Sequence, residues 1–416
     1  MTLSRRDMIA TTALGAAVLT TTPAGAATFG NPDAPPQGAV NARNPASVTD
    51  PGPQTKALAN QFPVLGSPPA TDVGKIPMSW ASFNTAHRRI QNGGWAREVT
   101  QADFAISETF AGVNMRLAAG GIREMHWHQA AEWAYVTYGN CRITVLDPQG
   151  RPYVADVKAG DIWYFPPGYP HSLQGTGEDG SEFVLCFDDG MASEFNTLLL
   201  TDWFAHTPPD ILAENFGVPA DIFAKVPLNN LWIFQGQLPG SLTSDQAAVT
   251  KNVSASPYPF TFSLGTLAPF RQNRRGSVRI ADSENFKVST TVAAALITVP
   301  PGELRELHWH PNADEWQYYI KGRARMTIFN TGPNASTFEF GAGDIGYVKR
   351  NYGHYIKNIG DTDLQFFAVF RAPRYEEISL SDWLTHTPPA LVAQHLNVAE
   401  ATIAKWPEDR PAILPR

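Results

Sequence analysis

The sequence predicts an all-β protein laid out twice, each copy a sandwich or barrel followed by short helices. Three observations carry this. Short runs of β-forming residues, such as Trp133–Val136, Arg142–Leu146, Ile162–Phe165 and Phe183–Phe187, alternate with Gly, Pro and Asn turns. Strands this short and regularly spaced form sandwiches or barrels. The segment Arg-Glu-Met-His-Trp-His ending at His128 returns as Arg-Glu-Leu-His-Trp-His ending at His310, so the chain repeats. Each copy then closes on a helix signal, Thr207-Pro-Pro with Gly217 and Thr387-Pro-Pro with Asn397: Thr as N-cap, Pro in the first turn, a left-handed residue after the end.

The chain has 416 residues, enough for two or three domains with sizeable cores. A weakly apolar run follows Arg5-Arg6 and leads to the small-residue site Ala24-Gly25-Ala26. Twin arginines before such a run look like a Tat export signal over residues 1–26, which places the mature protein in the periplasm or outside the cell. Residues 27–75 are rich in Ala, Pro, Gly and Asn, and read as an extended arm with little helix or strand. The two units then occupy 76–235 and 236–416. A net charge of −7 with no basic run excludes nucleic acid as an expected partner. No stretch of the mature chain is long and apolar enough to span a bilayer. Cys141 and Cys186 sit in apolar strand patterns and read as buried free thiols, with a disulfide as the alternative.

Within each repeat, histidines at i and i+2 of a strand point to one face. His126, His128, Glu132 and His171 in the first copy answer to His308, His310, Glu315 and His354 in the second, and use six of the ten histidines. Three imidazoles and a carboxylate suit a divalent transition metal with positions left open for substrate, and admit manganese, iron, nickel, copper or zinc alike. The copies run at an offset of 182 to 183 residues until Phe187 and Phe370, after which Asp202 and Asp382 are 180 apart. The first copy therefore carries three extra residues in the loop Asp188–Thr197, which contains Ser193 and Glu194.

The pattern His-x-His-x(3,4)-Glu followed by Gly-Asp and a later His, duplicated and with an Arg three residues before each first His, resembles the bicupin oxalate decarboxylases of the cupin superfamily. The resemblance runs from about residue 76 to about residue 400. It implies a cupin jelly-roll β-barrel in each half, one manganese ion per barrel (two Mn2+ per chain) on the eight residues just named, and dioxygen as redox cofactor. It implies that Arg123 and Arg305 bind the carboxylates of oxalate. Strand parity alone does not put Arg123 on the ligand face. It implies cleavage of oxalate to formate and CO2 through one-electron oxidation of the bound substrate. Glu194 matches the lid acid that protonates the formate radical anion, which makes Glu194 and Arg123 the catalytic candidates. A homo-oligomer, a trimer or a hexamer of two trimers, is implied as well. Phe195 departs from the usual lid sequence, and opens the alternative of an oxalate oxidase giving CO2 and hydrogen peroxide. A non-catalytic bicupin binding or storage protein is the alternative from another class. Where relatives carry a Glu on the strand after the last ligand, this chain has Ala368, so the second site reads as structural or electronic in role.

Overall fold

The computed structural model describes residues 52–415 apart from 274, 333, 409 and 410. The expected export signal and residues 27–51 of the arm lie outside the described residues. In the first half, Glu132–Leu146 and His171–Phe187 are long strands that pair with each other across both faces of the barrel. Ile162–Phe165, Ala111–Leu117 and Gly94–Val99 extend one face; Gly121–Trp127 and Pro152–Lys158 build the other. The second half splits into two sheets, one centred on Glu315–Lys321, Leu364–Phe370 and Ala293–Val299, the other on Ala324–Asn330, Gly353–Asn358 and Leu304–Trp309. Two packed β layers around one core, twice, is the expected jelly-roll arrangement.

The short expected runs Trp133–Val136 and Arg142–Leu146 are one strand. Gly139, at φ 70°, turns the strand from one face to the other with a register shift beside it. A side chain there would meet the Gly180 carbonyl at 2.0 Å, so only glycine lets the strand continue across the corner.

The halves exchange edge strands. Trp80–Ser82 pairs with Asp344–Val348 of the second barrel, and Thr261–Phe262 pairs with Ile162–Phe165 of the first. Phe367 packs against Trp133 and Tyr135 of the first half as well as Trp316 and Tyr318 of its own. The core is thus continuous between the halves.

The arm is less extended than expected. It holds the short helices Lys56–Gln61 and Pro63–Gly66, of whose residues only Val64 is buried. Phe62 packs edge-on against Trp80, Val73 bridges to Ala335, and Asp72 accepts hydrogen bonds from Thr337, so this segment lies along the second barrel.

Each barrel ends in helices, Leu200–Ala205 and Pro209–Phe216 after the first and Leu380–Thr385 and Pro389–Leu396 after the second. Thr207 and Thr387 are not their N-caps. Each hydroxyl instead donates back to a tryptophan carbonyl, of Trp203 and Trp383, and closes the preceding helix. Gly217 and Asn397 do sit in the left-handed conformation that ends the second helix.

Candidate metal centres and active site

Each site grows from one strand and its antiparallel neighbour. His126 lies directly across from His171, as His308 does from His354. His128 and His310 follow at the strand ends, and Glu132 and Glu315 open the next strands. The side-chain ligand atoms of each four-residue set all lie within 4.8 Å of one another, and all eight residues are buried.

The nitrogen chemistry shows what these sets are built for. Every one of the six imidazoles places Nδ1 2.6 to 3.1 Å from a backbone carbonyl: Glu124, Ala130 and Tyr169 in the first site, Glu306, Glu376 and Tyr352 in the second. A carbonyl only accepts, so Nδ1 carries the proton and Nε2 presents a lone pair inward. Those lone pairs face a carboxylate oxygen: His354 Nε2 lies 2.9 Å and His310 Nε2 3.3 Å from Glu315 Oε2, yet none of the three atoms has a hydrogen-bond partner. Acceptors gathered in a buried space without donors are stable only around a cation. Trp163 donates to Glu132 Oε1 and Gln317 to Glu315 Oε1, which leaves each Oε2 for the ion.

Charge agrees with this. Burial and the Arg123 guanidinium push His126 well below the usual histidine range, as burial and Arg305 do His308, so both stay neutral and ready to ligate. Burial alone would raise Glu132, but its contacts with His128 and His171 outweigh it and hold the carboxyl below the ordinary range. Glu315 behaves likewise through His354 and His310.

A β-bulge settles the position of Arg123. The register shifts between Arg123 and His126, and again between Arg305 and His308. The extra residue brings both arginines to the ligand side. They then differ. Arg123 is 2% exposed and donates only to neutral oxygens, Thr197 Oγ1 at 3.1 Å and the Trp232 carbonyl at 3.3 Å. No carboxylate of the described residues forms an ion pair with it. Arg305, equally buried, is already paired with Glu377, which also accepts from Tyr375 and faces Arg271 at 3.8 Å. Burial pulls Arg123 below the usual guanidinium range, whereas at Arg305 Glu377 outweighs burial and raises it.

Comparison with known proteins matches the cupin family to residues 81–221 and 262–404. The chain is 50% identical over 340 residues to oxalate decarboxylase OxdC of Bacillus subtilis, covering 82% of this chain and 87% of that one. This chain belongs to the bicupin oxalate decarboxylases. A probable oxalate decarboxylase of Arthroderma benhamiae is 40% identical, covering 84% of this chain and 86% of that one. A solved Bacillus subtilis oxalate decarboxylase, studied for its Mn(II) centres, superposes with a TM-score of 0.85 at 46% identity, covering 88% of this chain and 96% of that one.

In this bicupin the longer loop of the first half closes over the first site. Glu194 begins a 3-10 turn, Glu194–Asn196, and is 3% exposed. It lines a small pocket with Arg123, His126 and Glu132, walled by Val113, Met115, Leu173 and Leu185. On its other side Glu194 lines an outer cleft of about 400 Å³ with Arg89, Arg97 and Glu98. It is therefore the partition between the metal site and the cleft. Arg89 donates to its carboxylate at 2.7 Å. Glu98 accepts from the Ser193 hydroxyl and the Glu194 amide, and Thr197 donates to the Glu194 carbonyl. Phe195 points away from the site and is 53% exposed. Glu376 and Glu377 of the second half build no such lid: the carbonyl of Glu376 holds His310 and the carboxylate of Glu377 holds Arg305.

Sequence reasoning did not find Arg89, Glu98 or Trp232, and gave no role to Thr197 or Glu377. One signal was available for Trp232, since the matched position of the repeat is Ala412. Cys141 and Cys186 are free and buried, and burial pushes the Cys141 thiol up to about 12.

Proposed function

We propose that this chain is a manganese-dependent oxalate decarboxylase that works at its first site. The observation that carries the reading is Arg123: a buried guanidinium without a carboxylate partner, beside a metal-ligand set. A buried charge held by no ion pair is costly, and a substrate carboxylate supplies the direct partner that Glu194, Glu132 and Glu124 provide only at a distance. Oxalate, with two carboxylates, spans the metal and the arginine. The relatives, an oxalate decarboxylase at 50% identity and a solved one with Mn(II) centres, support both substrate and metal.

When bound at His126, His128, Glu132 and His171, manganese supplies a Lewis-acid anchor and, with dioxygen as redox cofactor, the one-electron chemistry that weakens the C–C bond. The protein does the rest. Arg123 fixes the far carboxylate and balances its charge. Glu194, paired with Arg89, takes the proton of hydrogen oxalate as substrate enters and returns it to the carbon left when CO2 departs. Hydrogen oxalate thereby becomes CO2 and formate, with atoms and charge conserved. The closed pocket has room for little beyond one water-sized group, about 10 Å³, so Glu194 has to swing out to admit oxalate. The apolar wall then keeps water from the intermediate.

Phe195 does not enter the site, so its departure from the usual lid sequence gives no support to the oxidase reading. Arg305, neutralised by Glu377, is assigned to holding the second site together rather than to oxalate. That site keeps a metal for structure. The helical tails expose matched apolar residues, Trp203, Ile211 and Phe216 in one and Trp383, Leu391 and Leu396 in the other. Their exposure supports a homo-oligomer, a trimer or a hexamer, in which a second copy would cover them. Export by the Tat route, to the periplasm or the medium, follows from Arg5-Arg6. No described helix is long and apolar enough to cross a membrane. The test of the activity is to incubate manganese-loaded protein with oxalate and assay both products. One formate per oxalate with little peroxide supports the reading; peroxide without formate refutes it.

A further inference from the structure

Trp232 is the centre of a set of contacts that proton transfer by Glu194 does not itself require. Its backbone sits at φ 54°, a region bulky residues rarely occupy. Glu124 holds it there, accepting from the Trp232 amide at 3.0 Å while its own amide donates to the Trp232 carbonyl at 2.9 Å. The indole so presented meets the lid and its anchors. Phe195 packs edge-on against it at 5.5 Å. The Arg89 guanidinium lies 5.1 Å from the indole and 5.3 Å from the Phe195 ring. Arg89 is the group that holds the Glu194 carboxylate. The Arg123 guanidinium lies 5.3 Å from the same indole.

The second half of the chain is an internal control. Ile233 pairs with Arg123 as Ile413 pairs with Arg305, so Trp232 corresponds to Ala412. The Ala412 carbonyl accepts from the Glu306 amide, as that of Trp232 does from Glu124. The backbone role is shared, but the large side chain and the positive φ are not. The half with the shorter loop has alanine; the half whose loop closes over its site has tryptophan.

We infer that Phe195, Arg89 and Trp232 form a latch that keeps the lid shut and fixes where Glu194 stands. Phe195 and Trp232 are positioning residues: they touch neither metal ligands nor the reacting atoms. The catalytic consequence rests on Glu194 being the proton carrier, whereas the latch itself does not. An exposed edge-on aromatic pair and a cation over two rings together shift the closed-to-open ratio about three- to tenfold.

The experiment is amide hydrogen exchange on the manganese-loaded protein, run beside product assays. The Glu194, Phe195 and Asn196 amides donate to Glu98 Oε2, Ser193 Oγ and the Ser193 carbonyl, and exchange when the lid opens. Phe195→Asn should speed the Glu194 and Asn196 amides about three- to tenfold, lower the formate-to-peroxide ratio, and leave metal content and Tm unchanged. Phe195→Tyr, which keeps the ring, should restore both readouts. Phe195→Asn and Trp232→Leu should not be additive in exchange, since each breaks the same contact. Unchanged exchange in Phe195→Asn overturns the latch whatever the activity does. Faster exchange with an unchanged product ratio leaves the latch standing and overturns Glu194 as proton carrier.

Discussion

Arg123 and Arg305 occupy matched positions and are equally buried, yet their removal should have opposite consequences. An oxalate carboxylate gripped by Arg123 takes two charge-assisted hydrogen bonds, each about 1.5–3 kcal/mol. Arg123→Gln should therefore lower kcat/KM for oxalate by about 10²–10⁴-fold. The same change removes a buried cation that forms no ion pair and that burial disfavours, so the unfolding midpoint should stay level or rise. Arg305→Gln leaves Glu377, only 8% exposed, with Tyr375 and with Arg271 as a more distant cation at 3.8 Å. Breaking such a buried pair costs about 3–5 kcal/mol. In a chain of this size that lowers Tm by about 3–6 °C. Turnover per folded, metal-loaded molecule should change far less than in Arg123→Gln. Steady-state kinetics and thermal melts of both variants, at matched manganese content, give the four numbers. An Arg123→Gln enzyme within about tenfold of the parent, or an Arg305→Gln protein with parental Tm, would refute the division of labour between the sites.

Other outcomes follow from the same geometry. Glu194→Gln should keep its metal and cut formate production by about 10²–10⁴-fold, the range for losing a general acid–base group, while peroxide per oxalate rises; parental formate rates would place the proton carrier elsewhere. Elemental analysis should find about two manganese ions per chain after supplemented expression, with His126→Ala inactive and His308→Ala impaired first in metal content and stability; a well-folded, fully active His126→Ala would contradict this. Glu98 is raised by burial above its unfolded value, against partial relief from Ser193 and the Glu194 amide. Its contribution to stability is thus full below the unfolded carboxylate range, about pH 4.3, and lost as pH rises through the raised value. Relative to the parent, Glu98→Gln should gain Tm as pH increases from about 4 to 7; a gap that is flat or shrinks would show that burial does not dominate at Glu98.

Much of the fold was legible because the repeat displays it twice. Ligand spacing and the Gly217 and Asn397 helix ends are local features, and local features survive in sequence. What was hidden depends on contacts distant in the chain. No spacing announces that Trp80–Ser82 completes the barrel around Asp344–Val348, because the pairing residues are far apart. Strand parity misplaced Arg123, since the bulge before His126 breaks the period of two. Glu377 was visible near the second site, but its pairing with Arg305 was not. Phe195 looked like an intruder in the lid because sequence gives its identity and not the direction of its ring.

Of the two matched metal sites, the first should be open to a dianion and the second closed to it. Calorimetric titration of manganese-loaded protein with oxalate, with dioxygen excluded, measures it directly. One oxalate should bind per chain despite two metal ions, with binding lost in Arg123→Gln and retained in Arg305→Gln. Two oxalates per chain, or binding indifferent to Arg123, would contradict it.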